Sequence, residues 1–268
     1  VFAGSLTVYG TLANLNAALN GLVYRPAANE NAVTQSVANR TLTITVDDMG
    51  YGLAGVASGT QQTDTQTILI GITPVNDQPG IVGPSAASAY QEQAAAVTIG
   101  AGVSVSDLID DTQMSGATVV ISNNYVAGDV LAATVTGTSI TASFNAGTRT
   151  LTLSGVDSIA NYNTVLNSVT FASTSDAPTA GGATTRTITW QATDNNAHSA
   201  GNGKLATAAV TSTINITAVS DAPAGADKTV SAIEDQSFTF AASDFGFSDP
   251  SDSPADTLSR VLITTVPV

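Results

Sequence analysis

The stretch Thr187-Ile188-Thr189-Trp190-Gln191-Ala192 alternates a hydroxyl or amide side chain with an apolar one at every step. A strand sends successive side chains to opposite faces, so this run has one apolar face and one polar face. Thr41-Leu42-Thr43-Ile44-Thr45-Val46 repeats the pattern, and Thr211 to Thr217 does so through Ile214 and Ile216. Gly, Asn and Asp bound these runs, which read as half-buried antiparallel strands. Two segments depart from the alternation. Leu12, Leu15, Leu19 and Leu22 fall at helical spacing, as do Ile159, Tyr162, Leu166 and Val169, and each set predicts a short helix between strands. The expected fold is all-β, built of antiparallel β-sandwich modules with one short helix in each. Its central core is expected to use Val97, Ile99, Val119, Ile121, Leu151, Leu153, Leu166, Phe171, Ile188, Trp190, Ile214 and Ile216.

Composition agrees. Among 268 residues there are 39 Thr, while charged residues make up only 10%. Exposed helix formers are scarce and β-branched residues abundant. Seven Lys and Arg face 21 Asp and Glu, a net charge of -14. That balance repels phosphate backbones and anionic headgroups, which excludes nucleic acid and membrane surfaces as expected partners. Without cysteine there are no disulfides, thiolate metal sites or cysteine nucleophiles. No apolar run approaches the ~18 residues of a membrane span.

The chain also repeats itself. Leu6-Thr7-Val8-Tyr9-Gly10 corresponds to Leu151-Thr152-Leu153-Ser154-Gly155, and the two helical patterns follow. Arg40-Thr41-Leu42-Thr43 then matches Arg186-Thr187-Ile188-Thr189, with Asp48 and Asp194 after them. Val75-Asn76-Asp77-Gln78-Pro79 matches Val219-Ser220-Asp221-Ala222-Pro223. Beyond these, Glu92 corresponds to Glu234, Asp107 to Asp249 and Asp110 to Asp252. The period is about 145 residues, the size of a sandwich domain and too long for a solenoid coil. Residues 1–78 read as the back part of a preceding repeat, 79–222 as a complete repeat and 223–268 as the front part of a following one. The chain is expected to be a window on a longer array.

The motifs at 75–79 and 219–223 resemble the junctions of bacterial cadherin-like tandem repeats, found in very large secreted (RTX-type) adhesins and surface proteins. Glu234-Asp235 followed by Phe245 to Asp252 resembles the opening of such modules. Gly128-Asp129-Val130-Leu131, Gly147 to Gly155 and Asn161-Tyr162 resemble their middle. The second junction has Ser220 where the first has Asn76, a departure that would cost a ligand there.

What the resemblance implies is Ca²⁺ bound between successive modules, stiffening the array. The chemistry suits it, since calcium takes six to eight hard oxygens from carboxylates, amides and carbonyls. Candidate ligands at the first junction are Asn76, Asp77 and Glu92, with Asp47 or Asp48 from an adjacent loop. At the second they are Asp221, Glu234 and Asp194. Asp244, Asp249 and Asp252 form a further group, with partial counterparts at Asp107, Asp110 and Asp111. The competing reading is that Asp and Asn before Pro or Gly are turn residues whose side chains bond nearby backbone.

Catalysis is not expected. His198 is the only histidine, no nucleophile elbow accompanies it, and repeated Asp positions favour a structural role. The function expected is that of an extracellular, cell-surface stalk or fibre segment, partnered by adjacent repeats. One alternative is a filament or surface-layer subunit assembled by strand exchange with like molecules. The other is a glycan- or protein-binding module, although aromatic residues for sugar stacking make up only 5% of the chain.

Overall fold

A computed structural model describes residues 5–27, 39–50, 59–73, 75–107, 111–196 and 203–265. The chain divides into two compact units. One comprises Val1–Asp77, Asp107–Thr112 and Asn196–Leu205; the other comprises Gln78–Ser106, Gln113–Asn195 and Ala206–Val268. A boundary thus falls at the first Asp-x-Pro motif, and residues 223–268 group with the central sandwich.

In the first unit, helix α1 (Leu12–Asn20) starts where Thr11 accepts the Asn14 N–H at 3.4 Å. That bond satisfies one of the donors a helix N-terminus leaves unpaired. Strands β1 (Asn39–Asp47) and β2 (Thr63–Gly71) form an antiparallel pair running from Asn39↔Gly71 to Asp47↔Thr63.

The second unit contains β3 (Gly80–Val82), β4 (Ser88–Gln91), β5 (Val97–Thr98), β6 (Ser104–Ser106), β7 (Gln113–Asn123) and β8 (Asp129–Ala132). There follow β9 (Thr141–Asn145), β10 (Thr150–Ser158), helix α2 (Ile159–Asn167), β11 (Thr170–Ser173), β12 (Thr185–Asp194) and β13 (Val210–Thr217). Six strands make one sheet in the order β4-β13-β12-β7-β10-β9, three make another in the order β5-β11-β8, and β3 pairs with β6. The pairings are antiparallel except that β4 joins β13 in parallel.

Val119, Ile121, Leu151, Leu153, Ile188, Trp190 and Ile214 of the large sheet share one buried cluster with Leu131 and Phe171 of the small sheet. This is an all-β sandwich. The expected core is in place, with Val97 only partly buried against it. Trp190 is fully buried and its indole N–H donates to Ser212 Oγ at 2.8 Å. The alternation on β12 also carries Arg186 inward, where it is fully buried. A buried charge is tolerated only when paired. Here Nε donates to Asp129 Oδ2 at 2.6 Å, while Nη1 and Nη2 donate to the carbonyls of Ala183 and Pro178, each at 2.7 Å.

Helix α2 begins at Ser158, whose Oγ accepts the Asn161 N–H at 3.2 Å. Tyr162, Val165 and Leu166 face the core, while Asn163 and Asn167 act as an extra pairing edge. Asn163 bonds both backbone groups of Val105, and Asn167 bonds the Gly102 N–H and the Val103 carbonyl.

Candidate metal centre

The second Asp-x-Pro motif leaves β13 directly beside the turn that follows β4. The Glu92 N–H donates to the Thr217 carbonyl at 2.9 Å, and Glu92 Oε2 accepts the Val219 N–H at 2.8 Å. Asp221 is held in turn by segment 249–256. Its N–H donates to Asp252, with Oδ2 at 3.1 Å, and its Oδ1 accepts from Gln93 Nε2 at 2.8 Å. Asp249 Oδ2 accepts the Asp256 N–H at 2.6 Å. The hydroxyl of Ser220 donates to Asp256 Oδ2 at 3.3 Å. Carboxylate oxygens of Asp249, Asp252 and Asp256 lie within 4.8 Å of one another.

The electrostatics are one-sided. Glu92 is 3% exposed, and burial pushes its carboxyl above the usual range, with Asp221, Asp176 and Asp252 adding repulsion against a single backbone N–H. Asp252 is likewise raised, first by desolvation and then by Asp249 and Asp256. The ion pairs Arg186–Asp129 and Lys228–Asp244 lie elsewhere.

Three buried oxygens here have no hydrogen-bond donor among the described residues: Glu92 Oε1, Asp221 Oδ2 and Asp249 Oδ1. Stranding a buried acceptor costs about 1–3 kcal/mol, more when it is charged. A divalent cation bound among these carboxylates would offset that cost. The donor set is wholly carboxylate, which suits a hard cation such as Ca²⁺ and not the nitrogen and sulfur chemistry of zinc. The carboxylates present therefore suit the expected metal, which Asp249, Asp252 and Asp256 would hold, with Glu92 and Asp221 beside them.

Glu92, which the sequence groups with Asn76 and Asp77, stands within its own unit beside Asp221, because β4 pairs with β13 in parallel and brings the ends of the two strands together. Asp194 was expected beside Asp221. It is buried at the far end of β12, where its carbonyl accepts from Ser115 Oγ at 2.6 Å. Glu234 lies in an exposed turn. Asp48 has the turn chemistry of the competing reading. Its Oδ1 accepts the N–H groups of Gly50 and Gln62, each at 2.9 Å, and these hold its carboxyl below the usual range. In the first unit, Asn76 is buried and its Nδ2 donates to the Gly203 carbonyl at 2.7 Å, while Asp77 is half-buried. Carboxylate oxygens of Asp107 and Asp111 approach within 4.8 Å. Asp110 and His198 lie outside the described residues.

Sequence reasoning passed over Asp176 and Asp256. A signal existed for the first, since Ser175-Asp176-Ala177-Pro178 repeats the junction sequence Ser220-Asp221-Ala222-Pro223.

No protein-family model and no curated protein matches the chain. Among solved structures, the chain is similar to the crystal structure of the human Desmocollin-1 ectodomain, with 16% sequence identity and a TM-score of 0.27. The match covers 71% of this chain and 30% of that one, so the chain spans less than a third of that ectodomain.

Proposed function

We propose that this chain is a non-catalytic stalk segment of a repetitive extracellular bacterial adhesin, and that Ca²⁺ at the Glu92–Asp221–Asp249 cluster fastens the segment after residue 222 to the sandwich before it. The observation that carries this reading is the set of three donor-less buried carboxylate oxygens from three separate stretches of chain. Binding a cation at all three would make it a clasp between β4, the end of β13 and the 249–256 loop. The repeated Asp-x-Pro motifs support a role in which the same clasp recurs along an array.

Calorimetric titration of calcium into chelator-stripped protein, with thermal melts in parallel, tests it. Extracellular modules bind calcium at about 10⁻⁴–10⁻³ M, and saturable binding in that range is expected. It should be lost in Asp221→Ala. No heat of binding and no change in melting up to about 10 mM calcium would exclude the clasp.

A further inference from the structure

We propose that the outward face of the six-stranded sheet is a self-association surface, on which a second copy of this chain packs face to face. The register puts the outward positions in rows across the strands. Ser143, Thr152, Thr118 and Gln191 make one row, and Asn145, Thr150, Val120, Thr189 and Thr211 make the next. Neighbouring rows contain Thr141, Ser154, Gly116 and Thr193 on one side and Thr187 with Thr213 on the other.

None of these positions carries an ionisable side chain, in a chain of net charge -14. Solvated sheet faces ordinarily intersperse charges, which keep copies apart. Two like-charged copies repel across most of their surfaces, and a neutral face is where they can meet without that penalty. Threonine also suits the contact. Its χ1 is stiff, so little side-chain freedom is lost on docking, and its hydroxyl can donate or accept against an identical partner. Thr189 and Ser122 hydroxyls already lie 2.8 Å apart within the face. The face contains no aromatic side chain, which favours a second copy over a stacked sugar.

Two copies would meet about a two-fold axis with sheets aligned near -30°, as in ordinary sandwich packing. Five strands about 4.8 Å apart and four to five residues long give a face of roughly 350 Å² per copy. A standard interface needs about 800 Å² per partner, so weak dimerisation with dissociation at about 10⁻⁴ M is expected.

Sedimentation velocity from about 10⁻⁵ to 10⁻³ M, in chelator and again in calcium, reads this out, bracketing that affinity. Concentration-dependent dimerisation is expected in both buffers, which separates it from the cation clasp. Thr152→Glu and Thr189→Glu should each weaken it at least about tenfold by placing like charges across the axis. Ala101→Glu, in the exposed turn between β5 and β6, should not. As a check that does not depend on the charged variants folding, Asn215→Cys gives a single spin-label site in a cysteine-free chain, and a short distance between copies is expected. Monomer at every concentration, or dimers indifferent to both face variants, overturns the proposal. So does a long distance between labels, or a persistent monomer that is retained on cellulose and released by Thr152→Glu.

Discussion

Glu92 holds Val219 with one carboxylate oxygen, at 2.8 Å, and leaves the other buried without a donor. One side chain thus ties the turn after β4 to the exit of β13 and, in the proposed clasp, would offer its second oxygen to the cation. The two roles separate on substitution. Glu92→Gln keeps an oxygen for the Val219 N–H and removes the charge. Calcium affinity should then fall at least about tenfold, about 1.4 kcal/mol. In chelator the variant should melt no lower than the wild type, because repulsion from Asp221, Asp176 and Asp252 is relieved. A melting point well below wild type in chelator would mean that the charge itself is structural.

Calcium should also change how the 223–265 segment resists a protease. At about 10 mM calcium and a dissociation constant near 1 mM, linkage gives about 1.4 kcal/mol of added stability. For a unit of this size that is about 3–6 °C in melting temperature. Limited proteolysis should cut the segment beyond Asp221 first in chelator, and calcium should slow that cut selectively. Equal rates in both buffers would show that nothing is fastened there.

The buried pair of Arg186 and Asp129 predicts an asymmetry. Arg186→Met leaves the buried Asp129 with the Val126 N–H but no countercharge, strands the Pro178 and Ala183 carbonyls, and should cost about 3–5 kcal/mol. Joining Asp129→Leu to it removes the stranded charge, and the double variant should recover much of the loss. Urea melts of the two single variants and the double variant measure the coupling. Additive losses would show that the pair does not act as a unit.

How far the fold was legible follows from which rules are local. The caps at Thr11 and Ser158, the apolar spacings after them, and the alternation on β1, β12 and β13 are written in consecutive residues. So is the inward Trp190. What stayed hidden depends on pairings between distant segments. No local pattern says that β4 joins β13 in parallel, yet that pairing decides that Glu92 belongs with Asp221. Asp48 and Asp249 look alike in sequence, since both are Asp in polar loops. They differ because backbone N–H groups surround Asp48, while one oxygen of Asp249 is buried without a donor. Arg186 broke the apolar alternation openly, and only the core reveals its partner.

The corner between β10 and α2 should respond at both ends of the pH scale. The strand bulges between Ser154 and Asp157, and Gly155 sits at φ 128, where an added side chain would meet the Ser139 carbonyl. The Tyr162 hydroxyl donates to the Gly155 carbonyl at 2.5 Å, and Asp157 accepts from the N–H groups of Ser139 and Ser158 and from Asn161 Nδ2, each at 2.7 Å. These bonds hold the Asp157 carboxyl below its ordinary 3.8. Its stabilisation is therefore full above that value and is lost as pH falls through the lower folded one. Asp157→Asn should flatten that part of the acid limb of a stability–pH curve. Burial, helped by the Asp157 charge, pushes Tyr162 up to about 12 from an ordinary 10. The neutral phenol is favoured in the fold, so its contribution is full below pH 10 and is lost as pH rises from there through about 12. In an ultraviolet titration of the folded protein, one tyrosine should ionise near pH 12, and Tyr162→Phe should remove that step. If the late step survives in the variant, another tyrosine carries it and the corner is more open than its hydrogen bonds require.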